Sequence, residues 1–155
     1  MRKPFLSIAA ALLLYCSACD QHRVADVFLP VEAQQWYYDD VKRMEFDMSD
    51  TSSLCNILVN IRHAGNYEWQ NLYIRLRITS PSGETASELL SLPLATTAGK
   101  WMGKGLGDVY ELQVPYKEGI QFRERGQYVF ELEQHMRVNP LVGIHHMGIR
   151  IEKQP

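Results

Sequence analysis

Apolar and polar residues alternate with a period of two in seven separate stretches of this chain, which restricts them to strands that bury one face. The apolar sets are Met44, Phe46 and Met48; Cys55, Ile57, Val59 and Ile61; Leu72, Ile74, Leu76 and Ile78; Leu90, Leu92 and Leu94. Further along they are Tyr110, Leu112, Val114 and Tyr116; Tyr128, Phe130, Leu132 and Met136; and Met147, Ile149 and Ile151. Turn chemistry falls between these runs, at Ala64-Gly65-Asn66, Ser80-Pro81-Ser82-Gly83, Thr97-Ala98-Gly99, Lys117-Glu118-Gly119 and Arg125-Gly126-Gln127. Short one-faced strands with frequent turns describe two antiparallel sheets packed face to face. The expected fold is therefore an all-β, antiparallel β-sandwich of about seven or eight strands, immunoglobulin-like or jelly-roll-like. No long stretch has a 3.6-residue period, although residues 32–41 have room for one helical turn. Internal repeats and low-complexity tracts are absent from the sequence.

The beginning of the chain follows a different logic. Met1-Arg2-Lys3 precedes an apolar run from Phe5 to Tyr15, and Cys16-Ser17-Ala18-Cys19 follows. That order of charged, greasy and small residues is a secretory leader, and the run is too short for the roughly 20 residues of a membrane-spanning helix. A small pair placed directly before a cysteine suits a lipoprotein signal peptidase, and Ser17-Ala18 supplies it for Cys19. Cys16 has bulky Tyr15 in the position where a small side chain belongs. The reading is a leader at residues 1–18, lipidation at Cys19, a tether over 19–26 and one sandwich domain over 27–155. The lipid at Cys19 would hold the protein to a membrane of the cell envelope, with the outer membrane the expected one. An ordinary export signal cut near Ala18 is the alternative.

Charge narrows the partners. The chain carries 16 basic and 18 acidic residues, and loss of Arg2 and Lys3 with the leader makes the remainder more acidic by two. No Lys/Arg block stands out, so nucleic acid is not an expected partner. A domain of about 130 residues can bury a real core without metals or disulfides. With Cys16 removed and Cys19 lipidated, Cys55 has no partner, and its place on an apolar strand face reads as a buried, inert thiol.

Residue types that carry chemistry are present without the spacing that chemistry needs. His145-His146 are adjacent on a strand and point to opposite faces, and His63 and His135 sit at strand ends with no ligand cluster, so no metal is expected. No Gly-x-Ser-x-Gly elbow positions a nucleophilic serine, and the glycine-rich loop over 99–108 lacks the ending of a phosphate loop. No enzyme and no cofactor follow from this. What remains is recognition by irregular segments. The 99–108 loop offers Trp101 and Met102, and the 137–146 connection offers Leu141 and His145; for Trp101, packing against the core is the competing role. Trp36, Tyr37 and Tyr38, with Trp101, also raise a second reading, a carbohydrate-binding surface lipoprotein.

Three segments carry a resemblance: Arg62-His63, Tyr67 and Asn71-Leu72; Gly99-Lys100-Trp101-Met102-Gly103-Lys104-Gly105; and Met136-Arg137 leading to Leu141-Val142-Gly143-Ile144. In that order, behind a lipoprotein leader, they resemble the gliding-motility lipoprotein GldH family of Bacteroidetes. The resemblance implies a non-enzymatic accessory lipoprotein of the envelope machinery linked to gliding and type 9 secretion, acting on other cell-envelope proteins. It supplies no catalytic residue. The family also occurs in members of the phylum that do not glide.

Overall fold

The structure is a computed structural model that describes residues 22–155. The leader, Cys16 and Cys19 lie outside the described residues. Eleven strands follow in order: β1 (Arg23–Pro30), β2 (Gln35–Trp36), β3 (Lys42–Met48), β4 (Cys55–Ala64), β5 (Asn71–Thr79), β6 (Thr85–Pro93), β7 (Lys104–Leu106), β8 (Val109–Ile120), β9 (Gly126–Gln134), β10 (Leu141–Val142) and β11 (Ile144–Lys153). One sheet has the order β1-β11-β4-β8-β7, the second β3-β9-β5-β6, and β2 pairs with β10 as a short ribbon. Every pairing is antiparallel. The eight long strands match the expected number; β2, β7 and β10 are short additions of two or three residues.

Alternation places the core between the two sheets. Ile57, Val59 and Ile61 of β4 and Met147, Ile149 and Ile151 of β11 face Met44, Phe46 and Met48 of β3, Leu72, Ile74 and Leu76 of β5, and Phe130 and Leu132 of β9; all are buried. Phe46 and Phe130 meet edge to face, their centroids 5.2 Å apart, a geometry their ring quadrupoles favour. The outer face of the second sheet is ionic. Glu131 accepts from Arg43 at 3.4 Å and Arg77 at 3.2 Å, and Arg77 also pairs with Glu133 at 3.3 Å. Cys55 is buried as expected, and burial raises its thiol pKa.

Two local expectations change, and the third is met. The expected tether over 19–26 overlaps β1, because Arg23 to Asp26 pair with β11. Asp26 is fixed there by Arg150 at 3.0 Å and by Asn60 Nδ2–H at 2.7 Å, which a free tether would not offer. Lys117-Glu118-Gly119 is not a chain reversal. It lies inside β8, where register shifts against β4 absorb the extra residue and Gly119 takes φ +63°. The helical turn within 32–41 is a single 3-10 turn, Glu32–Gln34.

The strand directions give the sandwich two unlike ends. The near end, where β1 begins, carries the connections 49–54, 80–84 and 121–125, together with the carboxyl terminus. These are tightly tied: Asp50 accepts from Ser52, Ser53 and Lys153, and Ser82 donates to Glu124. The far end carries the longer irregular segments, at 31–41, 65–70, 94–103 and 135–143, with the short turn 107–108. β4 spans the distance between them with ten residues, about 33 Å.

Candidate docking surface

His63 closes the inner face of β4 at the far end, following Ile57, Val59 and Ile61 by parity, and it is fully buried. Three rings enclose it. Trp101 lies edge-on with centroids 4.6 Å apart, Tyr110 stacks at 5.7 Å, and Tyr67 is tilted at 5.8 Å. His63 Nδ1 lies 2.9 Å from the Ala64 carbonyl oxygen, which fits a protonated Nδ1; Nε2 has no partner among the described residues. Trp101 is half-buried, and its Nε1–H donates to the Gly65 carbonyl at 2.9 Å. The loop that carries it is shaped for this. Gly103 has φ +84°, and a Cβ there would overlap the Glu111 carbonyl, so the chain passes too close to β8 for any side chain.

The four residues expected to recognise partners separate on this geometry. Leu141 is fully buried and presents no surface for recognition, while half-buried Trp101 gives part of its ring to the aromatic plug. Met102 is exposed. His145 is half-buried and lines a cavity of about 620 Å³ with Gly65, Asn66, Asp108 and Tyr110. His146 packs edge-on against Phe28, whose face is covered by the Arg62 guanidinium at 4.2 Å. Among the described residues, no three His, Cys, Asp or Glu side chains converge as a metal site would need.

Sequence reasoning singled out Met102, Tyr37 and Tyr38 among the side chains that project and missed Val41, Leu106 and Val142. Of ten exposed large hydrophobic side chains among the described residues, six sit on the far end: Tyr37, Tyr38, Val41, Met102, Leu106 and Val142. Leu106 is 87% exposed and Val142 57%. Their signal was a broken period, since both lie in strands too short to register as alternation. The β2–β10 ribbon is well braced. Tyr38 N–H donates to Asn139 Oδ1 at 3.0 Å and its hydroxyl to the Met136 carbonyl at 2.8 Å, while buried Gln134 holds Met136 N and the Val138 carbonyl. Trp36 is fully buried and donates to the Asp40 carbonyl at 2.7 Å, so it provides no platform for a sugar ring.

The plug also sets a pH dependence. Burial, more than any other influence, holds the His63 pKa below 6.5; nearby His145 acts the same way, and the Ala64 carbonyl opposes. His146 is lowered by burial, then by Arg62 and His145, with Glu111 opposing. Below about pH 6.5 the unfolded chain takes up protons that the folded chain refuses, so stability falls as pH falls. For buried His63 the limiting slope is about 1.4 kcal/mol per pH unit. Urea midpoints should drop steadily between pH 7.5 and 5.5, and a flat or rising midpoint over that range would contradict the burial of a neutral His63.

The fold and this end together define a small all-β sandwich whose irregular, apolar-tipped end lies opposite the start of β1. The GldH lipoprotein family profile matches residues 23–151. The chain is 33% identical over 148 residues to a protein of Christiangramia forsetii named gliding motility lipoprotein GldH homolog, covering 91% of this chain and 90% of the relative. It is also 33% identical over 154 residues to the gliding motility lipoprotein GldH of Flavobacterium johnsoniae, covering 95% and 94%. The chain belongs to the GldH lipoprotein family. The three segments that carried the resemblance meet at the far end: Arg62-His63 and Tyr67 end β4 and its loop, Trp101 inserts against them, and Met136 to Ile144 form the neighbouring wall.

Proposed function

We propose that the protein is a non-enzymatic accessory lipoprotein of the gliding-motility and type 9 secretion machinery, anchored through Cys19 to the outer membrane and acting by protein–protein docking at its far end. The observation that carries this is the crowding of exposed apolar side chains on the end opposite the start of β1. An anchor at Cys19 is four residues from Arg23, at most ~14 Å of chain, so the lipid holds the near end at the bilayer and presents the far end roughly 30 Å out. Carbohydrate binding is the weaker reading, because Trp36 is buried and the exposed Tyr37 and Tyr38 form no stacked pair.

The test is the double variant Leu106→Asp/Val142→Asp in the source cells. Both side chains are largely exposed, so thermal stability should change by no more than about 0.5 kcal/mol. Loss of apolar anchors at a docking surface costs about 2 kcal/mol or more of binding, enough to lose motility or secretion. A folded, lipid-labelled double variant that supports both processes normally removes the far end from the account.

A further inference from the structure

Charged side chains of this domain commonly engage one another: Asp26 holds Arg150 and Asn60, Asp50 holds Ser53 and Lys153, and Glu131 holds Arg43 and Arg77. One place at the far end departs from this. The cavity of about 620 Å³ is lined by five residues with polar side chains, Gln34, Asn66, Asp108, Tyr110 and His145. Among the described residues, none of these side chains has a hydrogen-bond or ion-pair partner. Gln34 is brought there under strain. It follows Ala33, and the two hold φ +58° and +50°, a left-handed pair that residues other than glycine keep only where their surroundings fix it. Here the Gln34 carbonyl accepts from Gly143 N–H at 2.9 Å.

A second cavity of about 300 Å³ shares Asn66 and adds Glu68, Trp69 and Val142. Asp108 and Glu68 are both exposed acids, and no Lys or Arg lines either cavity. The two most exposed apolar side chains of this end bracket the recess. Leu106 stands two residues before Asp108, and Val142 pairs with Gln35, beside Gln34.

We propose that this recess receives an arginine side chain of the protein that docks on the far end, with its guanidinium paired to the Asp108 carboxylate. The proposal rests on far-end docking and names what the partner brings. A docked partner shuts water out of the recess, and polar groups left there without partners are costly. A guanidinium meets that need: its planar fork of donors matches a carboxylate with two parallel bonds and has further donors for the amide oxygens of Gln34 and Asn66. An ammonium is a point charge without the planar match. An anionic group would face Asp108 and Glu68 with no cation to offset them, and an apolar side chain would leave the polar groups dry and unpaired.

The test titrates the full-length lipoprotein in detergent micelles with the capped peptide acetyl-Gly-Arg-Gly-amide and with its citrulline and lysine counterparts, followed by backbone amide resonances. The arginine peptide should shift Gly65, Asn66 and Asp108 saturably. Citrulline keeps the planar shape without the charge and should bind about tenfold more weakly. Asp108→Asn, an exposed change that leaves the melting temperature where it is, should weaken arginine binding by about tenfold as well. In the source cells, Asp108→Asn should reproduce the defect of the Leu106→Asp/Val142→Asp variant. No saturable shift at these residues, equal binding of citrulline or lysine, or full function of a folded Asp108→Asn protein overturns the proposal. The peptide reads the recess without any partner, so the two claims fail separately. A defective double variant in a protein with no arginine site leaves docking standing and ends the proposal. An arginine site in a protein whose double variant works normally ends docking, and with it the partner as the source of the arginine.

Discussion

Gly148→Ala is expected to destabilise the fold by about 3 kcal/mol or more, for the sake of a single methyl group. Gly148 lies in β11 between Phe28 of β1 and Asn60 of β4, and its φ is one that any residue adopts. The constraint is space. A Cβ would overlap the Val27 carbonyl oxygen and come within 3.1 Å of the Phe28 Cα, and backbone atoms cannot swing aside as a side-chain tip does. β1 would have to lift, stretching the Asn60–Asp26 bond and the Arg150–Asp26 ion pair that hold it down. Gly83 is the opposite case: nothing lies within 4 Å of its Cβ position, and φ +89° is the only penalty, about 1 kcal/mol for alanine. Urea unfolding of both variants measures the difference. A Gly148→Ala protein within 0.5 kcal/mol of wild type would mean that β1 does not pass this closely.

Cys19→Ser is expected to abolish incorporation of labelled palmitate and release the folded domain from membranes into the soluble envelope fraction. Cys16→Ser should leave labelling intact, because Tyr15 makes Cys16 a poor cleavage neighbour and Ser17-Ala18 makes Cys19 a good one. Cys55 does not compete, since its side chain is buried within the sandwich. On the proposed anchor the expected effect is all or none; no helix of the described residues is long and apolar enough to cross a membrane. Label lost in Cys16→Ser would move the anchor three residues upstream, and a wild-type protein that never takes up lipid would reduce the leader to a plain export signal.

The long strands were legible because burial on one face forces a period of two, as in β3, where Met44, Phe46 and Met48 alternate with Arg43, Glu45 and Asp47. The cost of exposing either face enforces that pattern. Glycine was harder to interpret. Gly119 looks like a turn, yet a bulge accommodates its positive φ inside β8, and only the partner strand decides between the two. The start of β1 was hidden because Arg23 and Asp26 are polar; they are held by β11 and Asn60, distant in sequence. At the far end, the sequence favoured large residues on irregular chain, and that criterion picked exposed Met102 together with half-buried Trp101 and fully buried Leu141. Irregular backbone near a core edge serves as often to bring a ring to the core as to present one to a partner. Leu106 and Val142 escaped notice because their strands are formed by tertiary contacts, with too few residues to show a period.

Hydrogen–deuterium exchange on the lipoprotein purified together with its envelope partners, compared with the protein alone, tests the docking end most directly. Bound partners should slow exchange at residues 94–108 and 135–143 and leave 49–54 and 80–84 unchanged. Protection confined to the near-end connections, with the far end exchanging as it does in the free protein, would contradict the account.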